Sequence, residues 1–229
     1  MLRLIPTALA CILPLGVQAQ DASKNWDAIM AEAAWDWRPG DLIFLNGMNE
    51  FDELVRQAED GKWGSVGIMR PSSGDPRVVF ADETNGVTEL ILYEITDVRA
   101  EDEYAVYRIK DAVPQGLGLM TNYSLFSAYG KPFDHLMMFG NGSFYNAELP
   151  FEAAMSEGYT IAKPQKLSDL VAGMESPLGK AVLAGWQDHP YCVAALSEAD
   201  CWEQVKNIAV VTPGALLASG ALEQVYPRR

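Results

Sequence analysis

The chain has 229 residues and a formal net charge of −14 at pH 7. This length is enough for one sizeable core and short for two, so we predict a single domain over residues 20–229. An acidic surface repels phosphate backbones and anionic lipids, which argues against a nucleic acid as the partner. After residue 19, no apolar run reaches the length of about 18 residues that would predict a membrane span.

Residues 1–19 have the pattern of a secretory signal peptide. Arg3 supplies the early positive charge, an apolar run follows, and Val17-Gln18-Ala19 matches a small-residue cleavage site. We therefore expect cleavage after Ala19 and a periplasmic or secreted protein. The alternative is a lipoprotein anchored through Cys11, which the letters ALA precede.

The elements that follow predict a mixed fold. Trp26, Ile29, Ala33 and Trp37 recur at helical spacing until Pro39-Gly40 ends the pattern. We then predict strands over 41–45, 65–69, 77–81, 87–95 and 104–110, and helices over 48–60, with Asn49 as its cap, and 117–129. The connections between strands are too short for parallel crossovers, so the order predicts an α+β fold with a mostly antiparallel sheet packed with helices.

Two cysteines, Cys192 and Cys201, remain after signal-peptide cleavage. In an oxidising compartment, two cysteines this close in sequence favour a disulfide. The alternative is that Cys192 acts as a nucleophile with His189 or His135, the two histidines of the chain. His189 and Cys192 lie in a loop interrupted by Pro190, with no visible group to orient the imidazole.

Motifs for metals and cofactors are missing from the sequence. It has no clustered His/Cys pattern, no glycine loop that would cradle a phosphate, and no GxSxG elbow. We therefore predict no metal site and no cofactor.

A series of short motifs carries a resemblance to a known family. In chain order they are WRPGDLIFLNG, GSVGIM, VVFADETNGV, AYGKPFD, FYNAELPFEA and VVTPGALLAS, and they extend from about Trp37 to Leu222. Their order and spacing resemble the permuted papain-like amidases of the YiiX/YaeF type, which are relatives of the NlpC peptidoglycan hydrolases. The resemblance implies a compact sheet with a catalytic His early in the chain and a catalytic Cys later, at the start of a helix. It also implies amide or related acyl bonds of cell-wall peptides or lipids as the substrate class.

The catalytic positions implied by the resemblance hold other residues here. Ser65 occupies the position of the His, and Asn146 that of the Cys. The third polar position falls on Ala81 by simple counting, or on Asp82 or Glu83 if the register slips. An Asn amide has no ionisable proton to lose, and a Ser hydroxyl is no base at neutral pH, so the mechanism of the family is not available to these residues.

Asn146 suggests a structural role instead. Asn is among the best N-cap residues, and FYNAELPFEA reads as a turn followed by a helix, so we expect Asn146 to cap that helix. The residues around it are candidates for a pocket. Asp134 and His135 either supply its polar groups or form a surface pair in a loop, and Phe144 and Tyr145 either frame an aromatic groove or belong to the core.

Three functions remain open on this basis. The first is a catalytically inactive, exported protein that retains a cleft for a peptide, glycan or acyl ligand. The second is an active cysteine hydrolase that uses relocated groups, with Cys192 as its nucleophile. The third is a structural protein that interacts with an active paralogue and makes no use of the cleft.

Overall fold

The computed structural model describes residues 35–227, with only the backbone of residues 114 and 115. The predicted signal peptide, Cys11 and most of the predicted helix that ends at Trp37 lie outside the described residues. Eight strands are β1 (Leu42–Leu45), β2 (Ser65–Arg70), β3 (Arg77–Asp82), β4 (Gly86–Ile91), β5 (Tyr104–Ile109), β6 (Gln165–Lys166), β7 (Ala209–Val210) and β8 (Leu222–Tyr226).

Eight α-helices accompany the strands in this part of the chain. They are α1 (Glu50–Ala58), α2 (Leu92–Thr96), α3 (Pro114–Tyr123), α4 (Glu148–Ser156), α5 (Leu167–Leu170), α6 (Pro177–Leu183), α7 (Glu198–Val205) and α8 (Pro213–Ala218). α3 continues directly into a π-helix, Ser124–Ala128. None of the helices within residues 35–227 is long and apolar enough to cross a bilayer.

The centre of the fold is a six-stranded sheet in the order β4-β3-β2-β1-β5-β8, in which every neighbouring pair is antiparallel. Side chains of a strand alternate between the two faces of a sheet. Leu42 and Phe44 accordingly join a large core with the helices, whereas Ile43 and Leu45 join a smaller core on the other face. The predicted α+β fold with an antiparallel sheet is confirmed.

The prediction of one strand over 87–95 is wrong in its second half. β4 ends at Ile91 and α2 begins at Leu92, because the Glu94 carboxylate accepts a hydrogen bond from the backbone N–H of Ile91 (3.1 Å). This acidic group near the helix start favours a helical turn over a longer strand. Leu92 and Ile95 of α2 then pack into the smaller core.

Gly86 fixes how the GKPF segment approaches the sheet. Its φ is +70°, and a Cβ added there would overlap the carbonyl oxygen of Lys131. That same carbonyl accepts a hydrogen bond from the backbone N–H of Val87 (2.8 Å), and Val87 accepts one from Gly130 (2.8 Å). The strand and the segment are thus joined through backbone atoms, with no room for a side chain.

Gly86→Ala is expected to destabilise the protein by about 3 kcal/mol, because it adds a backbone clash to the strain of positive φ. Gly130→Ala is the matched control, since Gly130 has φ +75° but open space around its Cβ position. We expect it to lose only about 1 kcal/mol. Urea unfolding measures both, and equal losses would show that the Lys131 contact is unimportant.

Candidate functional site

The structure brings two of the replaced positions together on one carboxylate. Ser65 is the first residue of β2, Asn146 precedes α4, and Asp52 lies on α1. The Ser65 hydroxyl donates to Asp52 Oδ2 at 2.5 Å, and the Asn146 side-chain amide donates to the same oxygen. Ser65 and Asn146 are each 1% exposed, and Asp52 is 2% exposed.

Backbone groups of Ala81 complete this buried cluster. The backbone N–H of Ala81 donates to Asn146 Oδ1 (2.8 Å), and its carbonyl accepts from Asn49 Nδ2 (2.8 Å). Asn49 Nδ2 also donates to Asp52 Oδ2 (2.8 Å). We call these five residues, Asn49, Asp52, Ser65, Ala81 and Asn146, the Asp52 cluster.

Burial changes the acidity of Asp52. Removal from water disfavours the charged carboxylate and raises the pKa of Asp52 to about 7, against the lowering effect of the hydrogen bonds from Ser65, Asn49 and Asn146. The charge of Glu83 adds a smaller upward contribution. Asp52 therefore exchanges its proton near neutral pH.

Asn146 is not the N-cap of the helix that follows it. The cap position of α4 belongs to Ala147, and no side chain caps the helix. The Asn146 amide is engaged on both sides instead, with Asp52 as acceptor and Ala81 as donor. Because these partners come from α1 and β3, the side chain links distant parts of the chain. Asn49 does occupy the cap position of α1, as predicted, but its side chain makes no capping hydrogen bond and contacts Asp52, Ala81 and Glu83 instead.

Glu83 and His135 lie beside the Asp52 cluster, and Asp82 does not. The carboxylate of Glu83 accepts from the backbone N–H of Phe51 (3.2 Å) and lies 3.3 Å from His135 Nε2. The side chain of His135 is 50% exposed. Asp82 Oδ1 instead accepts hydrogen bonds from the turn between β3 and β4, at Thr84 (3.0 Å) and Asn85 (2.7 Å).

Asp134, Phe144 and Tyr145 are interior residues. Asp134 is 2% exposed and accepts hydrogen bonds from the backbone N–H groups of Leu136 (2.8 Å) and Met138 (2.7 Å). The alternative that Asp134 forms a surface pair with His135 is therefore wrong. Phe144 and Tyr145 belong to the large core. The Tyr145 hydroxyl accepts from the backbone N–H of Val211 (2.9 Å).

Glu148 is another buried carboxyl, and the sequence analysis did not predict its burial. It lies in the first turn of α4, is fully buried, and one of its oxygens, Oε1, has no hydrogen-bond partner among the described residues. Burial raises the pKa of Glu148 to about 9, and the charges of Asp134 and Glu152 add to this. Glu148 is therefore protonated at neutral pH.

The cysteine alternative is excluded by the disulfide. Cys192 and Cys201 are bonded to each other, with their Cα atoms 4.9 Å apart, which confirms the predicted pairing. His189 is buried, and its Nδ1 accepts from the backbone N–H of Tyr191 (3.1 Å). Burial lowers the pKa of His189, and Cys192 offers no thiolate because its sulfur is bonded to Cys201.

These residues do not form a metal site. Within residues 35–227, no three or more His, Cys, Asp or Glu side chains are arranged to hold a metal ion. Asp52 Oδ2 is surrounded by hydroxyl and amide donors, whose hydrogens point toward the oxygen and would repel a cation.

The order of the helices and of the antiparallel sheet defines an α+β protein, and its fold is of the YiiX type. The comparison that shows this is with the crystal structure of the metalloprotein YiiX from Escherichia coli O157:H7, at a TM-score of 0.65 and 18% sequence identity. The match covers 85% of this chain and 99% of YiiX. No protein-family model and no curated protein matches the chain.

Proposed function

We propose that this chain is an exported, catalytically inactive relative of the permuted papain-like amidases that binds a peptide, glycan or acyl ligand. The observation that carries the proposal is the Asp52 cluster. Ser65 and Asn146, which stand where the resemblance expects the base and the nucleophile, contact the same buried carboxylate oxygen. The positions are therefore still adjacent in space, but they hold groups that cannot perform the reaction.

The chemistry of the cluster supports inactivity. Activation of a sulfur nucleophile needs a thiol and a base that titrates near neutral pH. The Asn146 amide offers neither, because a carboxamide has no thiol and does not titrate near neutral pH, and both its N–H and its oxygen are engaged in hydrogen bonds. Asp52 accepts a hydrogen bond from the Ser65 hydroxyl, as a general base would, but Ser65 is buried and Asp52 Oδ2 also accepts hydrogen bonds from two amides.

Export is supported by the signal-peptide pattern of residues 1–19 and by the disulfide, because disulfides persist in oxidising compartments. YiiX is a metalloprotein, but residues 35–227 of this chain do not bring three or more His, Cys, Asp or Glu side chains together to hold a metal ion, so the proposal includes no metal.

The test is the double variant Ser65→His/Asn146→Cys, assayed with muropeptides and acyl-amides beside the wild type and both single variants. We expect turnover by the double variant alone, since a nucleophile and a base are both required. Circular dichroism and thermal unfolding confirm that each variant is folded. Hydrolysis by the wild type that is lost in Asn146→Ala would overturn inactivity. A folded double variant without turnover would instead refute the proposed retention of a substrate cleft.

A further inference from the structure

A pocket of about 560 Å³ lies at the end of the sheet where β1 stops and β2 begins. This volume is within the range of small-molecule sites. Its walls come from the turn after β1 (Asn46), from the segment before β2 (Lys62, Trp63), and from the segment between α2 and β5 (Val98, Arg99, Asp102). Trp63 is two residues before Ser65, so the pocket adjoins the Asp52 cluster along the chain.

The wall of the pocket is held rigidly by Asn46. Its side-chain amide donates to the carbonyl of Lys62 (2.9 Å), and its side-chain oxygen accepts from the backbone N–H of Gly64 (2.7 Å). These bonds join the turn after β1 to the segment that carries Lys62 and Trp63. A wall fixed in this way needs little ordering when a ligand binds.

Two cations, Lys62 and Arg99, line this pocket together with the acidic Asp102 and Glu103. Among residues 35–227, neither Lys62 nor Arg99 has an acidic oxygen within salt-bridge distance. Arg99 is oriented by the carbonyls of Ile95 (2.7 Å) and Asn46 (3.3 Å), and Lys62 Nζ lies 4.3 Å from the centre of the Trp63 ring. In a chain with 31 acidic and 17 basic residues, two such cations in one pocket indicate a site for an anionic group.

The acidic residues of the same pocket indicate that the ligand also carries a positive charge. Glu53 is neutralised by Arg56 at 2.7 Å, which leaves Asp102 and Glu103 against Lys62 and Arg99. The two remaining acids and the two cations balance. Such a lining disfavours a multiply charged phosphate and also a polycation, but it suits a molecule with one carboxylate and one ammonium group.

We propose that this pocket binds a zwitterionic ligand of the size of a short peptide, with its carboxylate on Lys62 and Arg99 and its ammonium on Asp102 and Glu103. Val98, which is 75% exposed, supplies the apolar contact for small side chains, and the buried Trp63 forms the floor beside it. This inference deepens the proposed binding function by naming a ligand class and a location. It does not depend on catalysis, so it stands or falls separately from the Ser65→His/Asn146→Cys assay.

The experiment is an NMR titration of the ¹⁵N-labelled protein with trialanine, its C-terminal amide and its N-acetyl derivative. We expect saturable binding of trialanine with a Kd on the order of 1 mM, with shifts centred on the pocket. The amide and the N-acetyl derivative each lose one charged contact and should bind about tenfold more weakly.

Lys62→Gln is expected to weaken trialanine binding about tenfold, whereas Lys163→Gln, the same charge change at an exposed site outside the pocket, leaves it unchanged. Lys62 is suited to this test because its side chain makes no backbone hydrogen bond that the fold would lose. Absence of saturable binding, equal binding of the amide, shifts remote from the pocket, or equal effects of the two lysine variants would each overturn the proposal.

Discussion

Glu148→Gln is expected to stabilise the protein by about 3 kcal/mol at pH 7 and to remove much of its sensitivity to alkaline pH. With a folded pKa of about 9 and an ordinary value of 4.5, Glu148 must hold a proton at pH 7 that the unfolded chain releases. This difference in proton binding lowers the free energy of unfolding at pH 7 by about 3 kcal/mol. Gln has nearly the shape of a protonated Glu and carries no such cost.

The sign follows from which state binds the proton. Between pH 4.5 and about 9, the folded state keeps the Glu148 proton and the unfolded state loses it. The contribution of Glu148 to the free energy of unfolding is therefore complete below pH 4.5 and is lost as pH rises through about 9. The pKa of Asp52, raised to about 7, acts in the same direction over a lower range.

The surroundings of Glu148 support a raised pKa for its carboxyl. Two further carboxyls act on Glu148, those of Asp134 in the loop before α4 and of Glu152 in α4 itself. The phenols of Tyr123 and Tyr145 belong to the same group of interacting side chains. Tyr123 donates its hydroxyl hydrogen to Glu152 (2.7 Å). The backbone N–H of Tyr145 donates only weakly to Glu148, at 3.4 Å. A negative charge on Glu148 would thus meet other acids and little compensation.

Urea unfolding at several pH values between about 5 and 9 measures this prediction. The wild type should lose stability steadily over the range, and Glu148→Gln should lose much less. Glu101→Gln, at an exposed site, is the matched control and should follow the wild type. Parallel curves for the wild type and Glu148→Gln would show that Glu148 is ionised in the folded protein.

Much of the fold could be predicted from the sequence because its signals are local. Apolar runs mark β1, β2, β3 and β5, with Gly or Pro beside the first three and acidic residues beside β5, and all four were predicted within one residue of their ends. The helix at α2 was missed because its start depends on Glu94 and on packing against the sheet. β8 was missed because it is formed by pairing with β5, a contact between residues more than a hundred apart.

Of the residues in the candidate site, only those at the catalytic positions implied by the family resemblance could be predicted from the sequence. It pointed to Ser65, Ala81 and Asn146, and the structure places all three in one cluster. Asp52 was missed, although a signal existed. It lies three residues before Val55, so a carboxylate shares the apolar face of α1. The prediction that Asn146 caps a helix was wrong because it considered only neighbouring residues, whereas the hydrogen-bond partners of Asn146 lie far away in the sequence.

Asp52→Ala is expected to destabilise the protein by about 3 to 5 kcal/mol, because it leaves the hydroxyl of Ser65 and the amides of Asn49 and Asn146 without their shared acceptor. All three groups are buried, so water cannot replace the carboxylate. Asp52→Asn keeps an acceptor oxygen in the same place and should change stability by less than about 1 kcal/mol near pH 4, where Asp52 is neutral in the folded protein and largely protonated in the unfolded chain as well.

The pH dependence separates this explanation from loss of packing alone. Asp52→Asn cannot ionise, so its stability relative to the wild type should increase as pH rises through about 7. Asp52→Ala should stay far below both at every pH, since its unsatisfied donors do not titrate. Urea unfolding at pH 4 and pH 8 distinguishes the outcomes. Equal losses for the Ala and Asn variants would contradict the shared acceptor, and the replaced catalytic positions would then be held together by packing rather than by the Asp52 carboxyl.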